Sequence, residues 1–148
     1  RPNDLVSREE FLKMAMVVSA LSADSDSNSF SDVEDGAWYE PYVSAAAKLG
    51  IVQGKEDGSF GIGESIVRQD AAVILFGVLK AAGQSTPAAS NIAYEDAEEI
   101  AAYAQEAVSV LTELGILNGM PGDLFAPRAN CTRAEAAKMM VGIMEVIR

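Results

Sequence analysis

Three stretches of the chain repeat an apolar residue at every third or fourth position. They are Phe11, Met14, Ala15, Val18 and Leu21; the run from Ala71 to Leu79; and the run from Ala136 to Ile147. That spacing puts the apolar side chains on one face and predicts three amphipathic helices. Two shorter runs predict two more. In the first, Trp38, Tyr42, Ala45, Ala46 and Leu49 form an apolar face behind Pro41, and in the second the pattern ends at Leu114. Each closes on Gly-Ile (Gly50-Ile51 and Gly115-Ile116), the expected left-handed stop with its hydrophobic follow-on.

The pattern is also periodic on a longer scale. Tyr94-Glu95-Asp96-Ala97 matches Phe30-Ser31-Asp32-Val33, and Tyr103 aligns with Trp38. Gly115-Ile116-Leu117-Asn118-Gly119 matches Gly50-Ile51-Val52-Gln53-Gly54, and Phe125 matches Phe60. Arg133 follows Phe125 by the interval that separates Arg68 from Phe60. Repeats of this length mean one supersecondary unit used more than once. The expected division is a partial first unit over 1–21, a linker over 22–29, a second unit over 30–83, a linker over 84–91 and a third unit over 92–148, all in one domain. None of the three long apolar stripes can be buried alone, and packing them together is the economical solution.

All three long helices start alike: Ser7-Arg8-Glu9-Glu10, Val67-Arg68-Gln69-Asp70 and Thr132-Arg133-Ala134-Glu135. Ser7 with Glu10, and Thr132 with Glu135, have the spacing of a capping box, in which cap hydroxyl and glutamate satisfy each other's backbone N–H. The arginines are unusual there, because the helix dipole is already positive at that end. Two arrangements recover the cost: an anionic ligand held between guanidinium and free N–H groups, or an internal pairing with a nearby carboxylate.

Composition narrows the partners. The chain has 148 residues, enough for a proper core, with 22 acidic and 11 basic residues, a net charge of −11 and no histidine. Bulk charge therefore opposes nucleic acid and anionic membranes. No apolar run approaches the roughly 18 residues of a membrane span, and no signal peptide is visible. The start at Arg1-Pro2, without Met, suggests a mature or trimmed fragment. The one cysteine, Cys131, allows no internal disulfide and occupies the apolar slot of Val6 and Ile66, so it reads as a small buried hydrophobe.

Taken together, Phe-x-Asp-Val, the Trp, Leu-Gly-Ile-Val-x-Gly, Asp-Gly-x-Phe and Thr-Arg-Ala-Glu resemble the S-layer homology family over almost the whole chain. The resemblance implies an all-α, pseudo-threefold, three-lobed domain of helix–turn–helix repeats, with the arginine helices as a central three-helix bundle. It implies a secreted protein at the bacterial cell surface. The protein would be attached non-covalently, through grooves between lobes, to a cell-wall polysaccharide that in many members carries a pyruvylated amino sugar. The polysaccharide-binding residues so implied are Arg8, Arg68, Arg133, Trp38, Tyr103, Asp32, Asp96 and Gly58 at the tip of the Asp57-Gly58 turn. No cofactor, metal or catalytic residue is implied. Read from the residues alone, Trp38 also suits a core position, and Asp32 and Asp96 also suit a cap or turn.

Departures limit the expectation to at most two grooves. Val67 replaces a capping Ser or Thr, Tyr103 offers a smaller stacking face than Trp, and the first unit lacks its front half. Competing readings remain. A protein-interaction or self-assembly module follows if the incomplete first unit leaves a face uncovered for a second copy. The spacing Asp24-x-Asp26-x-Asn28-x-Phe30-x-Asp32-x-x-Asp35 imitates a calcium loop, but Ser29 replaces its glycine and Asp35 its bidentate glutamate. Catalysis is disfavoured, with no histidine, no nucleophile–base pair and no glycine-rich phosphate loop.

Overall fold

The computed structural model describes residues 1–23 and 30–147. Among these residues five helices form: α1 (Arg8–Val18), α2 (Glu40–Lys48), α3 (Arg68–Ala81), α4 (Gln105–Glu113) and α5 (Arg133–Ile147). Two 3₁₀ turns, Ala97–Glu99 and Ala102–Ala104, lead into α4. The described residues contain no strand, only isolated bridges, so the class is all-α. The calcium-like spacing falls largely on 24–29, outside the described residues.

Helix ends follow the local chemistry. The capping boxes of Ser7 with Glu10 and Thr132 with Glu135 are both made. Gly50 and Gly115 take φ of 76°, and Ile51 and Ile116 then donate back to Ala46 and Leu111 at 2.8 and 2.9 Å. Helix α1 stops at Val18, short of the apolar stripe's end at Leu21. Ala20 turns left-handed at φ 56°, and the Leu21 N–H closes onto the Met16 carbonyl at 3.0 Å.

The three arginine helices α1, α3 and α5 pack against one another, α2 lies on α1, and α4 lies on α3. The segments leading into the arginine helices close a ring of backbone hydrogen bonds. Val6 donates to Cys131, Cys131 to Ile66 and Ile66 to Val6, at 3.2, 2.8 and 2.9 Å. All three side chains are completely buried, beside Phe11, Phe60 and Phe125. Burial pushes the Cys131 thiol up to about 11, with the Glu135 charge adding to it, so the thiol stays protonated.

The ring also supplies the missing cap. Val67 has no side-chain cap bond, but the first N–H groups of α3 donate to Ala129 and Pro127 carbonyls of the third unit, at 2.9 and 3.0 Å. Arg8 donates likewise to the Glu64 carbonyl and Arg133 to that of Asp4. Each helix start is thus capped by a neighbouring unit rather than by its own sequence alone. The apolar face of α2 differs from expectation. Val43, Ala45 and Ala46 are buried, whereas Trp38 and Leu49 stay half exposed; among the described helices α2 meets α1 alone.

Candidate functional site: arginine crevices between units

Each arginine reaches from its own helix start to the unit that follows. Arg8 Nε donates to the Phe60 carbonyl at 3.0 Å, its Nη1 to Asp70 at 2.8 Å, and its guanidinium lies 5.2 Å from the Phe60 ring centre. Arg68 repeats this one unit on: Nε to the Phe125 carbonyl at 2.7 Å, Nη1 to Glu135, and the Phe125 ring at 4.9 Å. Among the described residues Arg133 pairs only with Glu10, at 3.5 Å, and nearly half its side chain is exposed. The carboxylate always stands two residues beyond the neighbour's arginine. It is this internal pairing that offsets a cation at the positive helix end.

Asp32 and Asp96 hold the turns on which those arginines rest. The Asp32 carboxylate accepts from the N–H groups of Phe60, Gly61 and Ile62, all at 2.8 Å. Asp96 accepts from Phe125 and Ala126, also at 2.8 Å. Burial raises the Asp32 carboxyl, but the three N–H donors outweigh it and hold the group below its usual value. Gly58 sits at the exposed turn tip at φ 85°, its carbonyl accepting from Ser31 at 3.0 Å.

Two crevices open beside these pairs. The larger, about 700 Å³, is lined by Arg8, Gln53, Lys55, Asp70, Lys80 and Tyr103, among others. Tyr103, 63% exposed, donates its hydroxyl to Asp70 at 2.5 Å, and burial with that bond pushes its pKa up to about 12. The smaller, about 90 Å³, is lined by Arg68, Asn118, Glu135 and Lys138. The arginines in them differ in availability. Arg68 also spends Nη2 on the Asn118 carbonyl at 3.2 Å, so all three of its nitrogens are bonded. Arg8 keeps Nη2 without a protein partner among the described residues.

Neither crevice includes Arg133 or Trp38. Trp38 is half exposed, meets Tyr39 edge-on at 5.5 Å and carries the Lys13 ammonium 5.3 Å from its ring centre. The structure thus brings together Arg8 and Tyr103, leaves Trp38 and Arg133 on open surface, and commits Asp32 and Asp96 to backbone. Sequence reasoning missed Asp70, Glu135, Lys55 and Lys80. The recurring acid two residues past each arginine was a visible signal for the first two.

Repeated helical units join in a ring, with crevices lined by arginine and lysine between them. The S-layer homology domain profile matches residues 29–72 and 93–137, and the chain belongs to that family. It is 35% identical over 97% of its length to an amylopullulanase of Thermoanaerobacterium thermosulfurigenes, covering 8% of that protein. It is 32% identical over 97% to the exoglucanase XynX of Acetivibrio thermocellus, covering 13%, and 32% identical over 87% to an S-layer protein of Bacillus licheniformis, covering 14%. The chain therefore spans less than a fifth of these relatives. Family membership makes it a non-catalytic anchoring domain, secreted and held at the cell wall. Among the described residues no helix is long and apolar enough to cross a membrane.

Proposed function

We propose that the domain anchors to the wall by binding an acidic secondary polysaccharide in the crevice beside Arg8. The carrying observation is that Arg8, whose Nη2 has no partner among the described residues, lines a crevice of about 700 Å³ together with Lys55, Lys80 and the exposed Tyr103. A glycan carboxylate, such as the pyruvate group the resemblance implies, would take the free nitrogen in a charge-assisted bond, and a sugar face would lie on Tyr103. The net charge of −11 opposes such a polymer only at long range, since salt screens it beyond about 8 Å. The Arg68 crevice is a weaker second site, because each nitrogen of its guanidinium already makes one bond within the protein and its side chain is 4% exposed. Asp32, Asp96 and Gly58 act through the turn, and Trp38 is a further stacking surface. Weak sites on one polymer add through effective concentration.

The test is sedimentation with cell-wall sacculi, before and after the attached polysaccharide is stripped. Arg8→Ala and Tyr103→Ala should each reduce binding to untreated sacculi while the circular dichroism stays helical. A folded Arg8→Ala chain that sediments like wild type defeats the proposal, and binding that survives stripping moves the ligand to peptidoglycan.

A further inference from the structure

The crevice beside Arg8 is not uniformly cationic. Arg8, Lys55 and Lys80 line it, and so do Glu56, Asp70 and Glu106, three charges of each sign. Part of that charge is matched within the protein: Asp70 by Arg8 at 2.8 Å, and Lys55 by Glu64. Lys80 has no carboxylate partner among the described residues, and its ammonium lies 4.4 Å from the Phe76 ring centre. Glu56 and Glu106 are exposed, and among the described residues neither has a cation or a hydrogen-bond donor against it.

The Arg68 crevice lacks these unanswered acids. Its one lining carboxylate among the described residues, Glu135, is engaged by Arg68 and by the Thr132 N–H. Met120 and Pro121 stand there where the larger crevice has Lys55 and Glu56. The larger crevice is also long. Asp70 and Lys80 stand in the first and last turns of α3, ten residues or about 15 Å apart along the helix. That exceeds the roughly 8 Å screening length at physiological salt, so a polymer lying along α3 meets these charges one by one rather than as their sum.

For a ligand that is only acidic, Glu56 and Glu106 are a source of repulsion at the place where it binds. For a ligand that also bears an ammonium they are acceptors of charge-assisted hydrogen bonds. Resting on the reading of this crevice as the glycan site, we propose that its ligand is zwitterionic: an acidic group for Arg8, and a free, unacetylated amine for Glu106 and Glu56. Glu106 follows Tyr103 by three residues, through the 3₁₀ turn and the start of α4, so both belong to one wall of the crevice. A sugar lying on the Tyr103 ring presents its amine to Glu106.

The experiment is sedimentation with untreated sacculi and with sacculi whose free amines have been acetylated, at a temperature where every variant is folded by circular dichroism. Glu106→Gln and the double variant Glu56→Gln/Glu106→Gln are compared with Glu145→Gln, an exposed carboxylate of α5 outside both crevices. Each glutamine changes the net charge equally, so a difference between positions is local. Glu106→Gln should bind untreated sacculi up to about fivefold more weakly, the double variant more weakly still, and Glu145→Gln as wild type does. Acetylation should bring wild type down to the level of Glu106→Gln. Binding by Glu106→Gln that equals or exceeds wild type overturns the proposal, as does wild-type binding that acetylation leaves unchanged. Arg8→Ala tells this failure from that of the crevice: a loss on Arg8→Ala without one on Glu106→Gln means a purely acidic ligand in the same place. An acetylation effect that survives stripping of the polysaccharide keeps the ammonium and puts it on peptidoglycan.

Discussion

Arg8 and Asp70 lie 62 residues apart in sequence and meet at 2.8 Å, the first arginine reaching across to the first turn of the second arginine helix. Arg68 meets Glu135 and Arg133 meets Glu10 in the same sense, so the ion pairs run round the ring of helix starts in one direction. The pairs are not equal. Glu10 and Glu135 each divide their oxygens between an arginine and a cap N–H, whereas Asp70 makes no cap bond and accepts from Arg8 and Tyr103 instead.

Arg68 should therefore be the costly arginine for stability. Its side chain is 4% exposed and satisfies Glu135 and two backbone carbonyls. Arg68→Ala leaves those acceptors without donors, and should destabilise by about 3 kcal/mol. Arg133→Ala, at a pair exposed on both sides, should cost less than about 1 kcal/mol. Urea unfolding of both variants separates them; equal midpoints would show that burial does not set the ranking.

The helices were legible in the sequence because each depends on local spacing: the stripe of Phe11 to Val18, the Ser7 and Thr132 caps, the Gly50 and Gly115 stops. The equivalence of Phe60 to Arg68 with Phe125 to Arg133 was legible for the same reason. What Arg8 touches was not, since a guanidinium at a helix start suits an anion or a carboxylate equally, and its partner is fixed by packing 62 residues away. Asp32 shows the same limit. Nothing local reveals that its carboxylate faces three N–H groups from 28 to 30 residues further on.

Ala20 offers a stabilising substitution. It closes α1 at φ 56°, a conformation that crowds a Cβ, and it is exposed, so no packing is lost by trimming it. The corresponding residue after α3 is Gly83, at φ 76°. Ala20→Gly should stabilise by about 0.5–1 kcal/mol, a rise of roughly 2–4 °C in the melting midpoint. A lower midpoint would show that the left-handed turn at α1 is not what the native chain adopts in solution.

Acid should weaken the ring of helix starts. The Ser7 backbone bond leads the causes that lower Glu10. At Glu135, burial raises the carboxyl, but bonds from Thr132 and the Arg68 charge outweigh it and hold the group low. Asp32 is held low by its three N–H donors against burial. For each, the unfolded chain takes up protons at higher pH than the folded one, so stability is intact above about pH 5 and falls as pH drops through about 4. Melting midpoints from pH 7 to pH 3 should show that decline, and Glu10→Gln should flatten it. A midpoint unchanged down to pH 3 would mean these carboxyls titrate alike in both states.

Asp32 and Asp96 hold equivalent turns, but only one turn supports the large crevice. A Cβ on Gly61 would lie 2.9 Å from Arg8 Cδ, so the arginine rests directly on the backbone that Asp32 clamps. Replacing either carboxylate with an amide removes its charge and one acceptor oxygen, at about 1.5–3 kcal/mol for a charge-assisted bond. Both Asp32→Asn and Asp96→Asn should therefore lower the melting midpoint. Only Asp32→Asn should also weaken binding to sacculi at a temperature where both variants remain folded, because it loosens the support of Arg8 and leaves that of Arg68 intact. If the two lose wall binding equally, the crevice beside Arg8 is not the principal site, and the Arg68 crevice carries as much of the attachment.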